Sequence, residues 1–265
     1  DGIMATDNEV PVEYVGDALR ELVMHEVGHT LGLRHNFKGS TITPAEHIHD
    51  PEYTQEHGVS GSVMDYAPAN IALDRSEQGE YYNSVVGPYD VWAIQWGYMP
   101  VGNETLEPHP ELSALAAQNW KREYRFATDE DTGIGSYAMD PYVNQYDMGE
   151  DPIQFYSDLA VLVESLWNGL EDRILENDEE YWPLRSTAHF LLFQKWRGYA
   201  WMSKAIGGIE VSRVHKGAPN GLEPFRPLSG TEQREALEYL LQLYQPDVLG
   251  EFPLDMINRM PVERS

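Results

Sequence analysis

Apolar residues fall at helical intervals near the start of the chain and again through its second half. Leu19, Val23, Val27 and Leu31 recur at every fourth position, so they share one face of a helix that runs from Asp17, a suitable N-cap, to Leu31. That stripe predicts a face buried in core. From residue 153 onward, Leu159, Leu162, Val163, Leu166, Trp167 and Leu170 form a second stripe, and Leu184, Phe190, Leu191, Trp196 and Tyr199 a third. Ser229-x-x-Glu232, a capping-box pattern, then opens a last helix carrying Leu237, Leu240 and Leu241. The expected fold class is mainly α, α+β at most, with little or no sheet and a C-terminal helical bundle. No internal repeat is visible. The expected organisation is a compact core over 1–100, an irregular acidic connector over 101–152, and a helical domain over 153–265 packed on that core.

The polar face of the first helix changes the picture. In the run His25-Glu26-Val27-Gly28-His29-Thr30-Leu31-Gly32-Leu33-Arg34-His35, the first two histidines lie one helical turn apart on one face. Glu26 projects about 100° round the axis, near a metal on that face without binding it. Gly32, lacking Cβ, can take a positive φ, end the helix and return His35 as a third ligand. Three imidazoles at this spacing close three sides of a tetrahedral zinc site and leave the fourth to water, the arrangement of a catalytic centre with Glu26 as its base. The plain alternative is a helix with three ordinary histidines.

These residues resemble a known group. H-E-x-x-H-x-x-G-x-x-H is the signature of the metzincin clan of zinc peptidases, and Ser62-Val63-Met64-Asp65-Tyr66 is similar to the clan's methionine-bearing turn. The resemblance implies that Met64 lies beneath the metal and that Tyr66 steadies the tetrahedral intermediate. Asp90-Val91-Trp92-Ala93-Ile94-Gln95-Trp96-Gly97-Tyr98 is similar to the helix that closes the metzincin core. The closer likeness is to a bacterial family of large zinc-dependent metallopeptidases whose C-terminal part is called the Met-zincin domain, with Gly207-Gly208 and Gln233-Arg234-Glu235-Ala236-Leu237 as its later landmarks. It implies hydrolysis of a peptide or protein substrate, one catalytic zinc held by His25, His29 and His35, and a secreted, periplasmic or outer-membrane-associated home. Metzincins also build a sheet from sequence before the zinc helix. Only 24 residues precede His25 and the first residue is Asp1, so the expectation is a fragment of a longer precursor, without the cleft's upper wall. A second reading follows from that departure: a zinc-stabilised binding or scaffold module that needs an upstream segment for activity.

Composition adds exclusions. With 44 acidic and 18 basic residues the formal net charge is −26, which argues against nucleic acid or an anionic membrane as partner. There is no cysteine, no apolar run long enough to span a membrane and no visible signal peptide.

Several residues carry two readings. Asp129, Glu130, Asp131, Asp140 and Asp147 offer hard oxygen donors for calcium, yet without EF-hand spacing, and a solvated acidic loop is the plainer account. His47, His49 and His57 lie in the loop between Asn36 and Gly61; a second zinc competes there with exposed loop histidines. His189 reads as a core or boundary histidine. Arg213 and His215 approach substrate only if the helical half packs on the cleft. Asn36, directly after the third ligand, is placed to orient the turn.

Overall fold

The first helix begins earlier than its apolar stripe suggests. In the computed structural model, which describes residues 10–102, 109–132, 138–242 and 254–260, α1 spans Val12–Thr30 and follows Pro11. Proline has its φ fixed near the helical value and no N–H to leave unpaired, so it makes a natural start. Asp17 therefore lies inside the helix, where it pairs with Arg20 at 3.1 Å, and is not the N-cap. At the other end Gly32 takes φ +91°, and the Leu33 amide donates back to the Gly28 carbonyl at 3.0 Å, closing the helix in a left-handed cap.

The face that α1 buries is the opposite of the expected one. Leu19, Val23, Val27 and Leu31 are all exposed, between 41% and 60%, whereas His25 and Gly28 are buried. The helix is held through its histidine side. Tyr14 packs edge-on against Tyr81 and Tyr82 and shares a hydrogen bond with the Tyr82 hydroxyl at 2.9 Å, and Glu21 accepts from Asn83 Nδ2 at 3.1 Å.

Two units make up the chain: residues 1–152 with 208–228, and residues 153–207 with 229–265. The first unit is largely irregular after α1. It contains α2 (Pro51–His57), capped by the Asp50 carboxylate on the amides of Glu52 and Tyr53, then α3 (Pro88–Tyr98) and α4 (Pro110–Ala116). Irregular backbone that is buried must still pair its N–H and C=O groups, and here side chains do so. Asn83 Oδ1 accepts from the Val59 and Ser60 amides at 2.8 and 3.0 Å, and Asn70 Nδ2 donates to the carbonyls of Ile48 and Glu80. Among the described residues the only sheet is a two-stranded antiparallel ribbon, β1 (Ile209–Val211) with β2 (Phe225–Pro227), in which Glu210 opposes Arg226. It is tied in by Lys38, buried between Asp140 at 2.7 Å and the Val211 carbonyl at 2.6 Å.

The second unit is helical: α5 (Pro152–Trp167, from Ile153 on), α6 (Leu170–Ile174), α7 (Trp182–Met202), α8 (Gly230–Gln242) and the short α9 (Leu254–Asn258). The mainly α class holds. Tyr156, Tyr199, Met202 and Tyr239 form its core. The capping box is present: the Ser229 amide donates to Glu232 at 2.6 Å and the Glu232 amide donates to Ser229 Oγ at 3.2 Å. Several expected core positions are corrected. Phe190 and Trp196 on α7 are exposed, as is His189, and the packed side carries Leu184, Ala188, Leu191 and Tyr199. On α8, Leu237 and Leu241 face solvent while Ala236 and Tyr239 take the buried face. No described helix is long and apolar enough to cross a membrane.

Burial of Glu21, opposed by its hydrogen bonds to Asn83, pushes its carboxyl up to about 7 from 4.5. The folded state therefore holds a proton that the unfolded chain has lost between those values, so stability falls as pH rises from about 4.5 through 7. Glu21→Gln removes this dependence. Thermal melts from pH 5 to 9 are expected to show the variant gaining on the parent as pH rises, by on the order of 2–3 kcal/mol at the alkaline end.

Candidate metal centre

Two of the three histidines come from α1 and the third from the turn that Gly32 creates. Their rings gather with centroids 4.7 Å apart for His25 and His29, 4.9 Å for His29 and His35, and 5.4 Å for His25 and His35. Their potential ligand atoms lie within 4.8 Å of one another, and among the described residues this is the one group of three or more such side chains that converges.

Each ring is fixed by its other nitrogen. His25 Nδ1–H donates to the Val63 carbonyl at 2.7 Å, His29 Nδ1–H to the Leu33 carbonyl at 3.0 Å, and His35 Nδ1–H to the Asp129 carboxylate at 2.8 Å. The partners are acceptors, so each Nδ1 carries the proton and each Nε2 presents a lone pair. His35 Nε2 is buried with no partner, which is what a ligand atom shows without its metal. Burial lowers the pKa of His25, reinforced by the other two histidines and opposed by the bond to Val63, so the ring stays neutral and able to ligate. A donor set of three imidazoles, each with a hydrogen-bonded rear nitrogen, fits a catalytic zinc.

The methionine turn lies directly beneath. Met64 is fully buried, and a Cβ added at Gly28 would meet its sulfur at 2.3 Å, so glycine at this point of α1 lets the turn approach the helix. Asp90, at the start of α3, holds the turn: its carboxylate accepts from Ser62 Oγ at 2.6 Å, the Val63 amide at 2.8 Å and the Gly87 amide at 2.9 Å. Burial raises its pKa against the pull of these bonds. On the other side the Asn36 amide donates to the Met64 carbonyl at 2.9 Å. Asn36 Nδ2 donates to the Arg125 carbonyl and its Oδ1 accepts from the Ala127 amide, while the Phe37 amide donates to the Ala127 carbonyl. The segment so docked, 125–127, leads into Thr128 and the Asp129 that orients His35. Asn36 thus orients two stretches of chain at once.

Tyr66 leans over the rings, 4.5 Å from the His35 centroid and 5.4 Å from that of His25. Its hydroxyl makes no hydrogen bond with the described residues. Partial burial raises its pKa, helped by Tyr146 and by the charges of Asp129 and Glu26, so the phenol keeps its proton. Glu26 is exposed on α1 beside this group.

Apart from Asp129, which bonds His35, the remaining candidates are not brought to the centre. The five carboxylates offered for calcium are dispersed among other partners: Asp129 on His35, Glu130 on Arg34 at 2.7 Å, Asp131 on Arg213 at 2.6 Å, Asp140 on Lys38, and Asp147 accepting from Ser40 and Asn144. His47 and His57 each pack against Tyr53, with ring centroids 4.5 Å from it, and form no second metal group with His49. Arg213 and His215 line a cavity of about 290 Å³ with Tyr89, Trp92, Tyr124 and Phe126, inside the first unit.

Asp129, Asp90 and Gly28 carry functions that spacing did not assign. Asp129 lies 94 residues from His35, and no local pattern links them. Asp90 and Ser62 each stand in a recognisable motif, but only their contact shows what they do. Asp129→Ala leaves His35 free to rotate, and losses of a ligand's hydrogen-bond partner lower metal affinity by about 10–100-fold. Competition with a chelating dye should show that loss with little change in melting temperature of the metal-free protein, because Asp129 is half-exposed.

The family model described as Met-zincin matches residues 7–264. No curated protein and no solved structure matches the chain. With nearly its whole length covered by that model, the chain belongs to the Met-zincin family.

Proposed function

We infer that the chain is a zinc-dependent metallopeptidase that hydrolyses peptide bonds. The observation that carries this reading is the set of three pinned Nδ1–H groups, which leaves three Nε2 lone pairs converging beside an exposed carboxylate. A bound zinc supplies Lewis acidity and lowers the pKa of its water towards about 7.

The chain's own groups divide the rest of the work. Glu26 takes the proton of the attacking water and passes it to the leaving amine, acting as base and then as acid. Its exposed position leaves it open to solvent and substrate. The Tyr66 hydroxyl, protonated and without a hydrogen-bond partner among the described residues, donates to the oxyanion as the carbonyl carbon becomes tetrahedral. His25, His29 and His35 are held in one tautomer throughout, since none of the three Nδ1 protons can leave without breaking its bond to Val63, Leu33 or Asp129.

Glu26→Gln keeps the shape of the site and removes the base. Zinc content by atomic absorption should stay near one per chain, while cleavage of an unfolded protein, mapped by mass spectrometry, falls by about 10²–10⁴. Normal turnover in the variant would remove Glu26 from the mechanism, and zinc binding without any cuts in the parent would favour a scaffold. Tyr66→Phe is expected to lower kcat by about 10–100-fold at little change in KM, because the bond it loses forms only as charge develops on the oxygen.

A further inference from the structure

Tyr146 lies beside the three histidines, stacked on Tyr66, in a backbone conformation that tyrosine seldom adopts. Its φ is +61°, one of two non-glycine residues in that region among those described. A left-handed backbone at a bulky residue is strained, and such strain persists where surroundings over-determine it, most often at functional sites. The surroundings here are specific. Val143 and Asn144 before it and Asp147, Met148 and Gly149 after it are all buried, and its amide donates to the Tyr66 carbonyl at 2.7 Å. Glycine or asparagine would meet that backbone requirement at lower cost.

The ring is also poorly used as core. Tyr146 is 42% exposed although buried residues flank it, and it stacks on Tyr66, with centroids 5.8 Å apart and planes at 18°. Tyr66 in turn rests on His35. A strained position, an exposed aromatic ring and direct stacking on the residue over the histidines thus coincide at one place.

We propose that Tyr146 contacts substrate: beside Tyr66, its exposed ring is the wall on which a bulky apolar or aromatic side chain near the scissile bond packs. This rests on the peptidase reading, since the substrate it serves is a polypeptide laid over the three histidines. Apolar contact with the ring face favours Phe, Tyr and Leu over Gly or Asp and asks nothing of the phenol oxygen.

The test uses the zinc-loaded chain, Tyr146→Asn, which tolerates the left-handed backbone, and Tyr146→Phe. Calorimetry measures binding of two short peptide hydroxamates, one carrying Phe and one carrying Gly beside the metal-binding end, and kcat and KM are measured on the matching peptides. Expected for Tyr146→Asn are unchanged zinc content, an equal or higher melting temperature, about tenfold weaker binding of the Phe hydroxamate and less than twofold change for the Gly one. Tyr146→Phe should behave as the parent. Equal losses on both hydroxamates, no loss on either, or a parent that binds neither would overturn the proposal. Cleavage by the parent with no side-chain discrimination would sink the Tyr146 contact alone; discrimination in binding without cleavage would sink the hydrolytic reading and leave the contact standing.

Discussion

The geometry of the three-histidine cluster rests on one buried carboxylate that bonds none of the three rings. Asp90 gathers Ser62 Oγ and the amides of Val63 and Gly87, and so fixes the turn in which Met64 lies. Hydrogen bonds to a charged acceptor are worth about 1.5–3 kcal/mol each, more than a neutral pair, which helps offset the cost of burying the charge. With the Val63 amide committed to Asp90 and the Met64 amide to Ser62 Oγ, the turn directs its carbonyls to the histidine segments: Val63 O orients His25, and Met64 O accepts from the Asn36 amide beside His35. The His25 ring and the backbone next to His35 are therefore set by one turn, and the turn by Asp90.

That dependence reflects how the first unit is built. Between His35 and α3 the chain has few long elements, yet much of it is buried, so its backbone groups need partners that no ladder supplies. Asn36, Asn70, Asn83 and Asp65 provide them, and each is nearly or fully inaccessible. Burial and repulsion from Asp147 push the Asp65 carboxyl well above its usual range, against the bonds from Ser40 and Tyr66. One apolar cluster of this unit joins Phe37, Ala127 and Val143, with Tyr66 against it.

The two units were legible to different degrees for that reason. Helical periodicity reports burial on a regular element, so α5 and the start of α6 were readable: Val163 and Leu170 are buried and Leu159, Leu162 and Leu166 half-buried. The convergence of the three histidines was readable because their spacing is local, a turn of helix and a glycine. What orients the triad was not, since Val63 and Asp129 lie 38 and 94 residues from the histidines they hold. Nor was the three-residue ribbon of β1 and β2, too short to show alternation. On α7 the stripe was right at Leu184, Leu191 and Tyr199 and on α8 at Leu240, but it included exposed Phe190, Trp196, Leu237 and Leu241 and missed Ala188, Ala236 and Tyr239, core positions that a scale weighted to Leu and Phe passes over.

Helix α1 is the instructive failure. Periodicity identifies the element but reverses its faces, because an apolar stripe ordinarily marks the packed side and here it is exposed. Its described contacts are on the other side: His25 to Val63, Glu21 to Asn83, Tyr14 to Tyr82, and Gly28 over Met64. Most are polar contacts of about 0.5–1.5 kcal/mol net, with little apolar burial behind them. A metal on three Nε2 atoms, two in α1 and one beyond Gly32, would join the helix to the turn that Asn36 and Asp129 hold. Its binding energy would add directly to the stability of a packing otherwise weak in apolar area. The residues that prepare the chemistry are then the same ones that keep the helix in place, and ligand geometry and fold stability rise and fall together.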